Sequence, residues 1–256
     1  MVSVSITVIA RNEEAQIAAC LESVRWADDL VVLDSGSTDR TVTIARGYTD
    51  RVYTVPWQGF ARTKNLALDH ARGDWVFSLD ADERVPPELA AEIQAVVARD
   101  GPADGYRVAR RNYFRGRWIR RLGWWPDYTL RLFRRDKGRF VDREVHESVA
   151  VQGQVGNLRH PLEHYTYDNL SDFVQRMDRY SRLAARELHK QGRRPHWGEL
   201  LWRPGFTFLN LYLVKGGFLE GRDGFTLAVL YSMYNFLKYA KLQEMRLRQK
   251  GRGEGR

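Results

Sequence analysis

The chain has 256 residues, a formal net charge of +9 and a 43% apolar fraction, enough for a sizeable core. Its single cysteine, Cys20, excludes an internal disulfide and fits a reducing compartment. The charge is uneven, with about 17 Lys/Arg against about 7 Asp/Glu from Arg176 onward, and this points to a polyanionic partner such as nucleic acid, anionic lipid or a phosphorylated glycan.

The first residues lack a charged n-region, so no signal peptide is expected. Val4, Ile6 and Val8 alternate with Ser5 and Thr7, and the strand they predict ends at Arg11-Asn12-Glu13-Glu14. Ala15 to Val24 has helical spacing. Leu30 to Leu33 reads as a second buried strand and stops at the polar turn Asp34-Ser35-Gly36-Ser37-Thr38-Asp39. Asp39 is placed to cap a helix from Thr41 to Ala45. A short strand over Val52 to Val55 follows, then a helix over Ala61 to Ala71 that Gly73 stops. Trp75 to Leu79 is a fourth strand, and it runs into three carboxylates, Asp80, Asp82 and Glu83. This alternation predicts an α/β fold, a mostly parallel sheet with helices on both faces, in which ligands meet the carboxyl ends of the strands. Asn12, Asp34 and the Asp80/Asp82 pair all stand at such ends.

Two carboxylates two residues apart repel unless a cation or hydrogen bonds offset the charge, and hard oxygen ligands suit Mg2+ or Mn2+. The plainer reading is a pair of helix-capping acids, because Pro86 and Pro87 open a helix near Glu88. Neither G-x-G-x-x-G nor G-x-x-x-x-G-K-[ST] follows the first strand. A dehydrogenase and a P-loop nucleotidase are therefore disfavoured, and a nucleotide, if bound, must be held by carboxylates and a metal.

In order and spacing, Ile9 to Glu14, Val32 to Asp39, Lys64-Asn65 and Asp80-Ala81-Asp82 resemble the family 2 glycosyltransferases of GT-A fold. Val145-His146-Glu147 and His164-Tyr165-Thr166-Tyr167 are similar to the subgroup that adds glucose to the lipopolysaccharide inner core of Gram-negative bacteria. The resemblance implies a nucleotide diphosphate sugar donor, UDP-hexose in particular, and a divalent metal cofactor. It implies that Asp34 accepts a hydrogen bond from the base, as a carboxylate can from uracil N3–H; the alternative is a turn-former bonding its own backbone. Arg11 and Glu13 line the same pocket in the family. Lys64 matches a basic position near the nucleotide, or is a solvated helix charge. Asp82 resembles the metal-binding acid, Asp80 faces the ribose or donor sugar, and His164 is the match for a late metal or diphosphate ligand, with His160 its competitor. Arg131 pairs with the diphosphate or is an exposed strand charge. Glu147 is the expected catalytic base, in a His146-Glu147 pair at the acceptor, with Asp142 and Glu144 as rivals.

Arginines from Arg107 to Arg121 are interleaved with Tyr106, Tyr113, Phe114, Trp118, Trp124 and Trp125. Aromatic faces stack on sugars and arginines pair with phosphate, so an acceptor is expected here; no RNA-binding signature is present, which disfavours nucleic acid. Asp172 to Lys190 predicts an amphipathic helix, and Phe206 to Val214 and Phe225 to Leu237 predict two apolar arms, each too short to span a bilayer. An arm packed on the protein and an arm in the headgroup layer both fit. The expected organisation is a catalytic domain over 1–168, with a nucleotide-sugar part over about 1–100 and an acceptor part over about 101–168, followed by a basic, membrane-proximal helical extension over 169–256. The expected protein is an inverting hexosyltransferase, acting on a lipid-linked or phosphorylated glycan at the cytoplasmic, inner face of the membrane and held there by an anionic surface. A non-catalytic basic adaptor for lipid or RNA and a metal-dependent nucleotidyltransferase are the competing readings.

Overall fold

The computed structural model describes residues 2–141, 148–167 and 169–253, with side chains as far as 249. The chain forms two compact units, Met1–Arg111 with Pro126–Tyr165, and Asn112–Trp125 with Thr166–Arg256.

The first unit opens with β1 (Val4–Ala10), α1 (Ile17–Glu22), β2 (Asp29–Asp34), α2 (Thr41–Ala45), β3 (Val52–Thr54), α3 (Phe60–His70) and β4 (Trp75–Asp80). A two-residue strand, β5 (Glu83–Arg84), precedes α4 (Pro87–Ala98), whose first position is a proline with nothing to lose by lacking an N–H. β6 (Gly105–Phe114) follows and carries the chain into the second unit, where it turns back at β7 (Arg117–Trp118). β8 (Asp127–Arg134), β9 (Gly138–Val141), β10 (Ser148–Val151), β11 (Val155–Asn157) and β12 (Leu162–Tyr167) complete the strands. The sheet runs β3-β2-β1-β4-β8-β6-β12-β5. Its first four strands are parallel, as the strand-helix alternation demands; β8 pairs antiparallel with β4, and β6 pairs antiparallel with β8.

Side-chain alternation sorts the two faces of this sheet. Ile6, Val8, Trp75, Phe77 and Leu79 pack with Ile17, Leu21, Leu89 and Ile93 of α1 and α4. Val31 and Leu33 turn the other way onto Ala67 of α3, and Val76 packs with Ala61 and Leu68 of the same helix. Helices cover both faces, so the strands read as near-continuous apolar runs.

In the second unit α5 (Leu170–Lys190) is capped by Asn169, whose side chain accepts from Asp172 N. α6 (Glu199–Leu209) continues as a π turn over Asn210–Val214; a 3-10 turn over Gly217–Glu220 then leads into the 33-residue α7 (Gly221–Gly253). Gly224 permits that tight entry, since a Cβ there would lie 1.9 Å from Gly217 O. Phe114, Trp124, Phe173, Met177, Leu211 and Leu227 form the core. Lys241 ties α7 to α5 through Asp178 Oδ1 (2.6 Å) and Ser181 Oγ (2.7 Å). Among the described residues no helix is long and apolar enough to cross a membrane.

Candidate active site

β1 lies between β2 and β4, with Ala10 opposite Asp34 and Ile9 opposite Asp80. Parallel strands end on the same side, and neighbours are about 4.8 Å apart, so the backbones of Asp34 and Asp80 share one rim about 10 Å apart. Asn12 begins the loop after β1 in the left-handed region (φ 56°), which an asparagine tolerates. Its Oδ1 accepts from Thr38 N (2.8 Å), and its own N–H donates to Ser37 Oγ (2.8 Å). Glu14 N donates to Asp39 Oδ2 (3.1 Å), while Asp39 Oδ1 also accepts from Thr41 N (3.0 Å); Asp39 stands one residue ahead of the N-cap position, which is Arg40. The first two strand tips are thus laced into one ledge.

Asp34 is buried and organises its own turn. Its Oδ2 accepts from Gly36 N and Ser37 N (3.0 Å each), and Oδ1 from Ser37 Oγ (2.5 Å). Asp34 is thus a turn-former bonding its own backbone, the alternative the sequence left open; a carboxylate oxygen has two lone pairs, so the turn does not by itself exhaust the side chain as an acceptor. Arg11 is exposed beside this ledge in sequence, and Glu13 is half-buried with its N–H donating to Thr41 Oγ1 (2.8 Å).

Asp80 is the centre of a buried charge network. Lys64 Nζ lies 2.9 Å from its Oδ1, and Arg131 Nη2 lies 2.5 Å from its Oδ2. The same Arg131 nitrogen is 2.5 Å from Oε1 of Glu83, whose Oε2 accepts from Asp80 N (3.0 Å). Lys64 is 3% exposed, Arg131 4% and Glu83 0%. Neither cation is a solvated or exposed surface charge, which closes that alternative for both. Burial by itself would raise the Asp80 carboxyl, but the Arg131 and Lys64 cations hold it well below the usual carboxylate range. Burial would lower the Arg131 guanidinium; Asp80 and Glu83 outweigh it and raise it above its ordinary value. Arg110 extends the network, donating to Asp127 Oδ2 through Nε (3.0 Å) and Nη2 (2.6 Å), with Nη1 3.6 Å from Glu83.

Asp82 differs from Asp80. Its Oδ2 lies 3.5 Å from Nε2 of His164, brought there because His164 pairs with Glu83 across β12 and β5 and Tyr165 N donates to Asp82 O (2.9 Å). Both side chains are partly buried at the rim. His160, the competitor, is held by Glu92 of α4 through Nδ1 (2.9 Å). The capping alternative for Asp80 and Asp82 does not hold either, since the N-cap position of α4 is Pro86 and no side chain caps it. His146 and Glu147, with Asp142 and Glu144, lie in 142–147, outside the described residues.

The donor set around Asp82 bears on a cation. Among the described residues no group of three or more His, Cys, Asp or Glu side chains could hold a metal. A carboxylate and an imidazole that already stand together fit a hard or borderline divalent ion whose remaining positions go to substrate oxygens and water, as Mg2+ sites commonly do.

Sequence reasoning missed Glu83, Arg110 and Asp127 as parts of this site. Glu83 was visible as the third acid after β4, but nothing local says that a two-residue strand turns it fully inward. The basic, aromatic segment is also reassigned in part. Tyr106, Phe114 and Trp124 are buried core side chains and offer no free sugar-stacking face. Arg117 is bound to Glu220 and Asp223. Trp118 and Trp125 remain as an edge-to-face pair (5.3 Å) with Arg120 over Trp118.

Comparison with known proteins gives a consistent picture. The family model Glycosyl transferase family 2 matches residues 5–166. The lipopolysaccharide core biosynthesis glycosyltransferase LpsC of Rhizobium meliloti is 34% identical over 94% of this chain and 92% of its own length. An uncharacterized glycosyltransferase of Rickettsia typhi is 29% identical over 98% and 90%. Among solved structures, the mannosyltransferase PcManGT from Pyrobaculum calidifontis, in complex with GDP-Man and Mn2+, superposes with a TM-score of 0.55 at 16% identity, over 94% of this chain and 87% of that one. That likeness shows the fold.

Proposed function

This chain belongs to glycosyl transferase family 2 and is a homologue of a lipopolysaccharide core glycosyltransferase, and from that membership we propose that it moves a hexose from a nucleotide diphosphate sugar, with inversion, to a lipid-linked or phosphorylated glycan of the lipopolysaccharide core type. The observation that carries the proposal is the division of labour between two acids on one rim: Asp80 neutralised by Lys64 and Arg131, and Asp82 beside His164. A binding adaptor has no use for such a pair.

In this reading Asp34 accepts from the base, which for uracil is N3–H. Arg11 and Glu13 border the same ledge, and Asp80 meets the ribose or donor sugar through the lone pairs its cations leave. Asp82 and His164 hold a Mg2+ or Mn2+ ion, which when bound neutralises charge on the leaving diphosphate. Arg131 contributes fixed positive charge beside the diphosphate, its guanidinium held in place by Asp80 and Glu83. Glu147, with His146 beside it in the chain, takes the proton from the acceptor hydroxyl on the face opposite the leaving group. The chain works at an anionic membrane surface on the cytoplasmic side, where a lipid-linked acceptor is presented.

A donor screen with and without Mn2+ tests the reading. Metal-dependent release of nucleoside diphosphate from one hexose donor is expected. Release of pyrophosphate instead identifies a nucleotidyltransferase, and no turnover with any donor favours the adaptor.

A further inference from the structure

We propose that the outward face of the α6–α7 hairpin is a leaflet-insertion surface, an apolar patch with cationic ends that seats in the headgroup region of an anionic bilayer. This deepens the membrane part of the reading above and rests on it, but not on the donor chemistry.

Each of the two helices carries more apolar surface than its packing uses. Inward, Phe208 and Leu211 meet Leu227 and Ala228 in the core of this unit. Outward, Trp202, Phe206, Leu209 and Leu213 form a second stripe at helical spacing, each at least 53% exposed. On α7 the outward set is Phe225, Val229, Met233 and Phe236, each at least 40% exposed. The helices lie along one another, with Ser232 Oγ donating to Pro204 O (2.7 Å) and the Phe225 ring 5.7 Å from that of Phe208. Residues 204–214 and 225–237 hold no charged side chain. Apolar exposure repeated at helical spacing on both helices marks an interaction site rather than ordinary scatter.

Three observations choose the bilayer as occupant. Lys215 and Arg222 are exposed at the turn end and Arg194 at the other, where Arg193 is paired with Glu199, so cations stand at both ends of an uncharged patch. Trp197, 65% exposed, and Trp202 lie at the arginine end, where an amphipathic indole suits the interface between headgroup and chain. From Phe225 to Phe236 the stripe is about 17 Å long at 1.5 Å per residue, too short for a hydrocarbon core of about 30 Å but suited to lying in one leaflet. A second copy is a poorer occupant. In a symmetric pairing of this face with itself, either orientation sets basic ends against basic ends.

The test uses the full chain and flotation with vesicles of phosphatidylglycerol and phosphatidylethanolamine, against phosphatidylcholine alone. Wild type is expected to float with the anionic vesicles and to be released by salt only in part. A variant with Phe206→Ser, Leu213→Ser, Val229→Ser and Met233→Ser, all exposed, is expected to bind them about a hundredfold more weakly. Donor hydrolysis in solution is expected to be unchanged in that variant, which shows an intact catalytic unit. Equal flotation of variant and wild type overturns the proposal. So does a wild-type dimer in sedimentation, insensitive to vesicles, that the same four changes dissociate. Neither result touches the sugar-transfer reading, which fails only if the donor screen does.

Discussion

The rim of the parallel sheet and the outer face of the α6–α7 hairpin break the ordinary rule of burial in opposite directions. At the rim, Lys64, Glu83 and Arg131 are charged and buried; on the hairpin, Phe206, Leu213 and Val214 are apolar and exposed. Each departure is costly unless something offsets it. The rim offsets it internally, with each charge facing an opposite one at hydrogen-bonding distance. On the hairpin, nothing among the described residues covers these side chains. The lesson is that a buried charge network identifies where chemistry is held rigid, and an exposed apolar stripe identifies where a partner is awaited.

The sharpest way to break this contrast is at its charged end. Asp80→Ala leaves Lys64 and Arg131 facing a gap, and the expected loss is about 3–5 kcal/mol of stability, read from urea unfolding, with activity falling alongside. Asp82→Asn separates function from stability. Its carboxylate is not part of the Lys64–Asp80–Arg131 cluster, so unfolding is expected to change little while metal-dependent transfer falls by about 10²–10³. Glu147→Gln is expected to retain donor binding, measured by calorimetry, and to lose about two orders of magnitude or more in transfer.

Acid acts on the same cluster. The Asp80 carboxyl is held well below its ordinary value when folded. On acidification the unfolded chain takes up that proton first, at about pH 4, and the folded chain only at lower pH. The contribution is therefore fully present above about pH 4 and is lost as pH falls toward the depressed folded value. Asp80→Asn is expected to flatten stability against pH in this window, and an unchanged slope would assign the acid sensitivity to other carboxylates. The smallest effect belongs to the other end of the contrast. Val229→Ser in solution is expected to change stability by under about 0.5 kcal/mol, because the side chain already faces water.

Much of the first unit was legible because its signals are local. Val4, Ile6 and Val8 alternate within one strand, Asp39 bonds the backbone of Thr41 where a helix begins, and the acids stand where apolar runs stop. The Asp82 and His164 pairing was reached through family resemblance, and the structure brings the two side chains within 3.5 Å. Arg131 was harder. A strand position was expected for it, but its partners Asp80 and Glu83 lie 51 and 48 residues away, and only pairing of β8 with β4 decides whether such a charge points inward.

The amino-acid order by itself determined the first four strands of the sheet and the helices between them, the polar tips at their carboxyl ends, and the two uncharged arms near the C-terminus, because each depends on neighbours within a turn or a strand. Tertiary structure alone decided that Glu83 faces fully inward, that Asn112–Trp125 packs with the C-terminal helices, and which side of an all-round apolar hairpin is left uncovered. The physical reason is common to all three. Burial is a property of what arrives from far along the chain, and a periodic pattern records that a face is apolar without recording what will cover it.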